Sequence, residues 1–195
     1  MKKLSLIMMV AFAVIAFQAC KNKAKDSTSS ADSANVTKDT STHPAVTGGI
    51  AVDKDDAKFA VTAANDGMAE VNAGKLAQEK AVSARVKKFG AMMVTDHSKA
   101  GDELASIAKT KNITLPAAPD SDAQKMADDL SKKSVSDFDK AYVSMMVDGH
   151  KKAVKLFEDA SKNLKDPDLK AFAIKTLPTL KMHLDSINAI HDSMK

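Results

Sequence analysis

Residues 83–110 read SARVKKFGAMMVTDHSKAGDELASIAKT. Val86, Phe89, Met93, His97, Ala100, Leu104 and Ile107 recur at steps of three and four, which places them on one face of an α-helix. Lys, Asp and Glu fill the intervening positions. A strand would need alternation at period two, and none is present. The stretch predicts a helix from Ser83 to Thr110.

The same period extends in both directions. A helix from Asp55 to Ala81 carries Phe59, Ala63, Gly67, Val71, Gly74 and Ala77 or Gln78 along one stripe. Asn112 to Pro119, with Pro116 and Pro119, is a loop, and a shorter helix covers Ser121 to Lys133. A third long helix, Ser136 to Lys162, aligns Val143, Met146, His150, Val154 and Phe157. Asp166-Pro167 then restarts the chain with proline at a first helical position. The last helix reaches Ser193 with Leu169, Phe172, Thr176, Leu180, His183 or Leu184, Ile187 and Ile190 inward. Pro178 removes one backbone hydrogen bond and is expected to kink that helix near Lys175. Four amphipathic helices on short links predict an all-α fold, a four-helix bundle over residues 53–195 with one short extra helix between helices two and three. No heptad is sustained, so a coiled coil is not expected.

The first fifty residues have another texture. Lys2 and Lys3 precede an apolar run from Leu4 to Phe17, and Ala19-Cys20 follows. The run is shorter than the roughly twenty residues a spanning helix needs, so residues 1–19 read as a signal peptide. The junction resembles the lipobox of bacterial lipoproteins. That resemblance implies that Cys20 becomes the lipidated mature N-terminus, with the membrane as partner through the anchor. The expected location is the periplasmic side of the outer membrane, with surface exposure as the alternative. Residues 20–52 are rich in Ser, Thr, Asp, Asn and Lys, with Pro44 and Gly48-Gly49, and read as a disordered tether.

Composition removes several function classes. The chain has 195 residues, one Cys and no Trp, which excludes a disulfide framework and a thiolate metal centre. All 29 basic residues except Arg85 are lysine, and they are interleaved with 25 acidic residues. Nucleic-acid recognition favours the arginine fork and aromatic stacking platforms, so no nucleic-acid partner is expected. The net charge of +4 is that of a solvated helical surface, and it falls when Lys2 and Lys3 leave with the signal peptide.

One constellation carries possible chemistry. His97, His150 and His183 fall on inward faces of three different helices. Met93 precedes His97 by one helical turn, as Met146 precedes His150, and carboxylates stand near both histidines at Asp96 and Asp148. Glu70 lies beside the Gly67-Val71-Gly74 stripe of helix one. Imidazole with carboxylate suits zinc or iron, and imidazole with thioether suits copper, so a transition metal is the cofactor class this set would take. The competing reading is three hydrogen-bonded structural histidines over a gap-filling methionine core. His43 lies in the tether, and His191 sits at a helix end where the dipole favours it.

Glu70-Val71-x-x-Gly74-Lys75-Leu76-Ala77, Val86-Lys87-x-Phe89 and Met93-Val94-x-Asp96-His97-Ser98-Lys99 together resemble the bacterial domain-of-unknown-function family DUF4142. So do His150-Lys151-Lys152-Ala153, Asp166-Pro167-x-Leu169-Lys170-x-Phe172-Ala173 and Leu177-Pro178-Thr179-Leu180-Lys181-x-His183-Leu184. The resemblance implies a ferritin-like four-helix bundle in exported membrane or outer-membrane proteins, without an assigned activity. Ferritin-like di-iron enzymes place Glu three residues before a ligating His. Here Val94, Val147 and Leu180 stand there, which ranks a di-iron redox enzyme last. No catalytic triad, P-loop or glycine-rich cofactor loop is present, so no catalytic residue is named. The leading expectation is a non-enzymatic envelope lipoprotein, a binding or stress-related module. The alternative is a metal-binding protein using His97, His150, His183 and Glu70.

Overall fold

Aspartate and serine open most of the helices, because their side chains accept the N–H groups that a first turn leaves unpaired. The computed structural model describes residues 26–38 and 53–194. Among them are six helices and no strand: α1 Ser27–Lys38, α2 Lys54–Lys80, α3 Ala84–Thr110, α4 Ser121–Ser131, α5 Val135–Asn163 and α6 Pro167–Asp192. Asp53 caps α2, Asp120 caps α4 and Ser134 caps α5. Asp166 caps α6 through the N–H groups of Asp168 and Leu169, with Pro167 at the helix start. Pro178 lies inside α6, which runs on to Asp192.

α3 ends in a Schellman motif. Asn112 adopts φ 54°, the N–H of Ile113 reaches the Ala108 carbonyl at 2.8 Å, and that of Asn112 reaches Lys109 at 3.3 Å. Asparagine tolerates this left-handed conformation better than most residues, which fixes where the loop to α4 begins.

Two tight turns are clasped from outside. Only Ala81–Ser83 separate α2 from α3, and Ser83 makes no side-chain cap. Asp139 of α5 instead accepts from the N–H groups of Val82 (3.2 Å) and Ser83 (2.7 Å). At the α5–α6 turn, Asp56 of α2 accepts from the N–H groups of Lys165 (3.2 Å) and Asp166 (2.6 Å). Each helix pair is thereby tied to the other by a buried carboxylate.

The four long helices match the expected boundaries within two residues. The tether expected over residues 20–52 contains a difference, because Ser27–Lys38 form α1. Its docking is polar. Asn35 donates to the Thr114 carbonyl at 2.9 Å and accepts the Thr114 N–H at 2.7 Å, and Lys38 reaches the Thr114 hydroxyl at 2.6 Å. A segment poor in apolar residues is held here by side chains that pair with the backbone and hydroxyl groups of a loop. The signal peptide over 1–19, Cys20 and the rest of the expected tether lie outside the described residues. No helix among the described residues is long and apolar enough to cross a membrane.

The apolar interior falls into two clusters. One gathers Phe59, Leu104, Phe157, Leu169, Phe172 and Leu180, with the Phe59 and Phe157 rings edge to face at 5.2 Å. The other gathers Val86, Phe89, Met93, Phe138, Tyr142 and Ile187. On every long helix the residues joining the two clusters are polar: Glu70 on α2, His97 on α3, His150 on α5 and His183 on α6.

Candidate metal centre

Inward spacing places the three histidines on buried faces, and helix length sets their height. α2, α3, α5 and α6 are 26 to 29 residues long, and Glu70, His97, His150 and His183 each stand near the middle of their helix. Long helices laid side by side with their ends aligned bring such midpoints level. This signal was available in the sequence, although facing direction alone does not supply it.

The structure brings the four residues together. The ring centroids of His97, His150 and His183 are 5.4 to 5.8 Å apart. One ring nitrogen of each lies within 4.8 Å of those of the other two. Glu70 Oε2 stands 3.0 Å from His97 Nε2, and Glu70 Oε1 stands 3.4 Å from His150 Nδ1. His150 and His183 are fully buried, and Glu70 and His97 are each 8% exposed.

Two imidazoles are oriented from behind. His150 Nδ1 is 3.0 Å from the Met146 carbonyl, and His183 Nε2 is 2.8 Å from Asp96 Oδ2. Such bonds to a carbonyl and a carboxylate fix the tautomer and leave the opposite nitrogen of each ring as a lone-pair donor. Those opposite nitrogens, His150 Nε2 and His183 Nδ1, are buried without a hydrogen-bond partner. His97 Nε2 also lacks an aligned hydrogen bond, since its contact with Glu70 is close in distance but poorly directed.

The electrostatics pull these groups apart. Burial acts to raise the Glu70 pKa, but the charge and contact of His97 outweigh it, and Glu70 is held below its ordinary value. Burial likewise acts to lower His97, and Glu70 outweighs that, so His97 is raised. Burial dominates at His150 and His183, which are both lowered and favour the neutral imidazole. Glu70 and His97 are thus biased toward their charged forms, beside two imidazoles biased toward the neutral form.

Several expectations are redrawn. Asp96 engages His183 on α6 rather than its neighbour His97, and Asp148 faces solvent away from the cluster. Met93 and Met146 belong to the apolar cluster, and Met93 packs at the α2–α3 crossing, where its Cβ lies 3.1 Å from the position a Gly74 Cβ would take. The candidate donors are thus three imidazole nitrogens with the Glu70 carboxylate beside them, a set that would suit Zn²⁺ or Fe²⁺ better than a thioether-seeking copper ion. His191 is half-buried and stands apart, 3.7 Å from Asp192. Val147 and Leu180, one turn before two of the histidines, are buried apolar residues.

The sequence reading missed Tyr142. It is the chain's one tyrosine, wholly buried, with a hydroxyl that has no hydrogen-bond partner. Burial and the charge of Glu70 both push its pKa up. Its ring meets Phe89 edge to face at 6.4 Å, and Phe89 in turn meets His150 at 6.0 Å and His183 at 6.3 Å. The signal was the four-residue series Phe138, Tyr142, Met146, His150 along one face of α5.

Comparison with known proteins agrees with this architecture. A crystal structure of a DUF305 fragment from Deinococcus radiodurans is similar to the chain, with a TM-score of 0.63 at 12% identity, covering 73% of this chain and 98% of that one. The likeness is one of fold. No curated protein matches the chain. The model of a family described as "Domain of unknown function (DUF4142)" matches residues 41–190.

Proposed function

The chain belongs to the DUF4142 family, and on that premise we propose that it is an envelope lipoprotein whose four long helices form a four-helix bundle around a transition-metal site. The ligands are His97, His150, His183 and Glu70. One observation carries the reading: three imidazoles and a carboxylate from four helices meet at one level between two apolar clusters. An interior selected for stability alone would be filled with apolar side chains at this level, because buried ionisable groups offset little of their own desolvation.

The fit is chemical as well as spatial. Tetrahedral ligands at about 2.0–2.1 Å from zinc stand about 3.4 Å apart, so the nitrogens must close by about 1.5 Å or less. Small ring rotations supply that. The Met146 carbonyl and Asp96 are the partners that metal-bound histidines ordinarily have behind them. The metal would supply a Lewis-acidic or storage centre, while the protein excludes solvent and sets the donors. The lipobox-like junction at Cys20 supports attachment to the envelope. A di-iron oxidase is disfavoured, because one carboxylate does not bridge and hold two irons.

The test is metal analysis of the purified full chain after loading with Zn²⁺ or Fe²⁺ and desalting. Stoichiometric metal is expected, with loss of at least about tenfold in affinity in His97→Ala plus His150→Ala. Equal uptake by that double variant overturns the reading. For the anchor, Cys20→Ser is expected to release the protein from the membrane fraction.

A further inference from the structure

α2 and α3 contain four glycines between them, of two kinds. Glycine destabilises a helix interior relative to alanine, so each calls for a reason. Gly74 and Gly90 have one. A Cβ on Gly74 would stand 2.6 Å from the Gly90 carbonyl oxygen, and one on Gly90 would stand 2.7 Å from that of Gly74. The two helices cross too closely there for any side chain. Gly67 and Gly101 have no such reason, since a Cβ at either meets nothing within 4 Å. Both border a cavity of about 610 Å³, and their missing side chains leave it open. That volume falls within the roughly 300–1,000 Å³ of small-molecule sites.

The cavity explains a misfit in α2. Ala63, Gly67 and Val71, expected to pack as core, are only half-buried because they face this space. The loop Leu115–Pro119 closes it on one side, and Leu104, Leu156, Phe157, Phe172 and Leu180 form apolar walls. Its polar lining is dominated by Asp66, Glu70, His97 and Asp102, and neither lysine nor arginine contributes although the chain has 29 basic residues. At the inner end, Glu70 and His97 are more than nine-tenths buried, and His97 Nε2 lacks an aligned hydrogen bond. Asp66 accepts only a neutral donor here, Asn65 Nδ2 at 3.2 Å.

We propose that this cavity binds a small organic amine with an apolar body. Glu70 is already paired with His97, so the half-buried Asp66 and the Asp102 carboxylate at the rim, in a lining without lysine or arginine, attract a cation and repel a carboxylate or phosphate. The apolar walls hold the hydrocarbon part. The site stands on the cavity and its charge, and it does not require the neighbouring metal.

The experiment is calorimetric titration of the metal-free full chain with phenethylamine, phenethyl alcohol and phenylacetate at neutral pH. The amine binds at least about tenfold tighter than the alcohol, and phenylacetate does not bind. Gly67→Leu with Gly101→Leu fills the space and abolishes amine binding while metal uptake is kept. Asp66→Asn brings the amine down to the affinity of the alcohol, and this variant carries the test alone if the leucine pair does not fold. Binding of phenylacetate as tight as that of the amine, binding by none of the three, or an unchanged amine affinity in Asp66→Asn overturns the proposal. Amine binding without metal uptake would sink the metal reading only, and the reverse result would sink only this one.

Discussion

Glu70 Oε2 and His97 Nε2 stand 3.0 Å apart in a layer where both side chains are more than nine-tenths buried. Burial alone would neutralise each of them, raising the carboxyl and lowering the imidazole. Each instead favours the ionised form of the other, and the net directions are reversed. The layer thus favours a contact ion pair of Glu70 and His97 beside two imidazoles that favour the neutral form.

Glu70→Gln tests that coupling in the metal-free protein. The imidazole of His97 is expected to titrate lower than in the parent protein, because burial is then opposed only by the charge of Asp96. Loss of a partner in a buried ion pair costs about 3–5 kcal/mol when the remaining charge is trapped. His97 can shed its proton, so the expected cost is nearer about 1–3 kcal/mol. A histidine NMR titration reads the first expectation and urea unfolding the second. An unchanged His97 midpoint would show that Glu70 does not set it.

The helix glycines separate close packing from open space. Gly74→Ala forces a methyl group against the Gly90 carbonyl and is expected to destabilise by about 1–3 kcal/mol. Gly67→Ala meets open space and is expected to stabilise by about 0.5–1 kcal/mol, the ordinary helix-propensity gain. Denaturant midpoints of the two variants should therefore move in opposite directions. Movement in the same direction would contradict the reading of the cavity.

The glycine contrast also shows where the sequence was legible. α3, α5 and α6 could be read nearly residue by residue, because leucine, phenylalanine, methionine and isoleucine mark their buried faces against lysine and aspartate. α2 was harder. Alanine and glycine appear on several of its faces, so a stripe through Gly67 and Val71 looked like core, while Glu70 looked like its neighbour. Phe59, Gly74 and Ala77 of that stripe are buried, but in the middle of the helix Asn65, Glu70 and Ala73 are the inward residues instead of Ala63, Gly67 and Val71. α1 was illegible for another reason. Its docking rests on scattered polar contacts such as Asn35, paired with backbone 79 positions away, and Lys38, and no local pattern announces such bonds. The histidines were readable as facing inward, but their meeting depended on how four helices align.

Asp56 and Asp139 each hold two backbone N–H groups of a turn they do not belong to. Removing such an acceptor strands the donors, at about 1–3 kcal/mol for each buried group. Asp139→Ala is expected to cost about 2–4 kcal/mol, and Asp139→Asn less, because an amide oxygen still accepts. Hydrogen exchange at Val82 and Ser83 should speed up in Asp139→Ala. Unchanged protection there would mean that the turn is held by something else.

The α5–α6 junction makes stability depend on pH through two aspartates with opposite shifts. Burial acts to raise Asp166, but the Lys111 ammonium at 2.7 Å and the N–H groups of Leu169 and Asp168 outweigh it, so its pKa lies below the ordinary 3.8. Its contribution is present above the unfolded value and is lost as pH falls through the folded one, in the window below about pH 4. Asp56 behaves oppositely. Burial pushes its pKa above 3.8 despite the N–H groups of Asp166 and Lys165. Its contribution is full below the unfolded value and declines as pH rises through the folded one. Urea midpoints measured across this range should show an acid limb due to Asp166 and a shallower decline above it due to Asp56. Asp166→Asn is expected to lower the plateau by about 1–2 kcal/mol and flatten the acid limb. Asp56→Asn keeps an acceptor oxygen for the two N–H groups and removes the decline. An acid limb that persists unchanged in Asp166→Asn would assign acid sensitivity to other carboxylates, with Asp53 and its Lys165 partner at 2.7 Å the next to test.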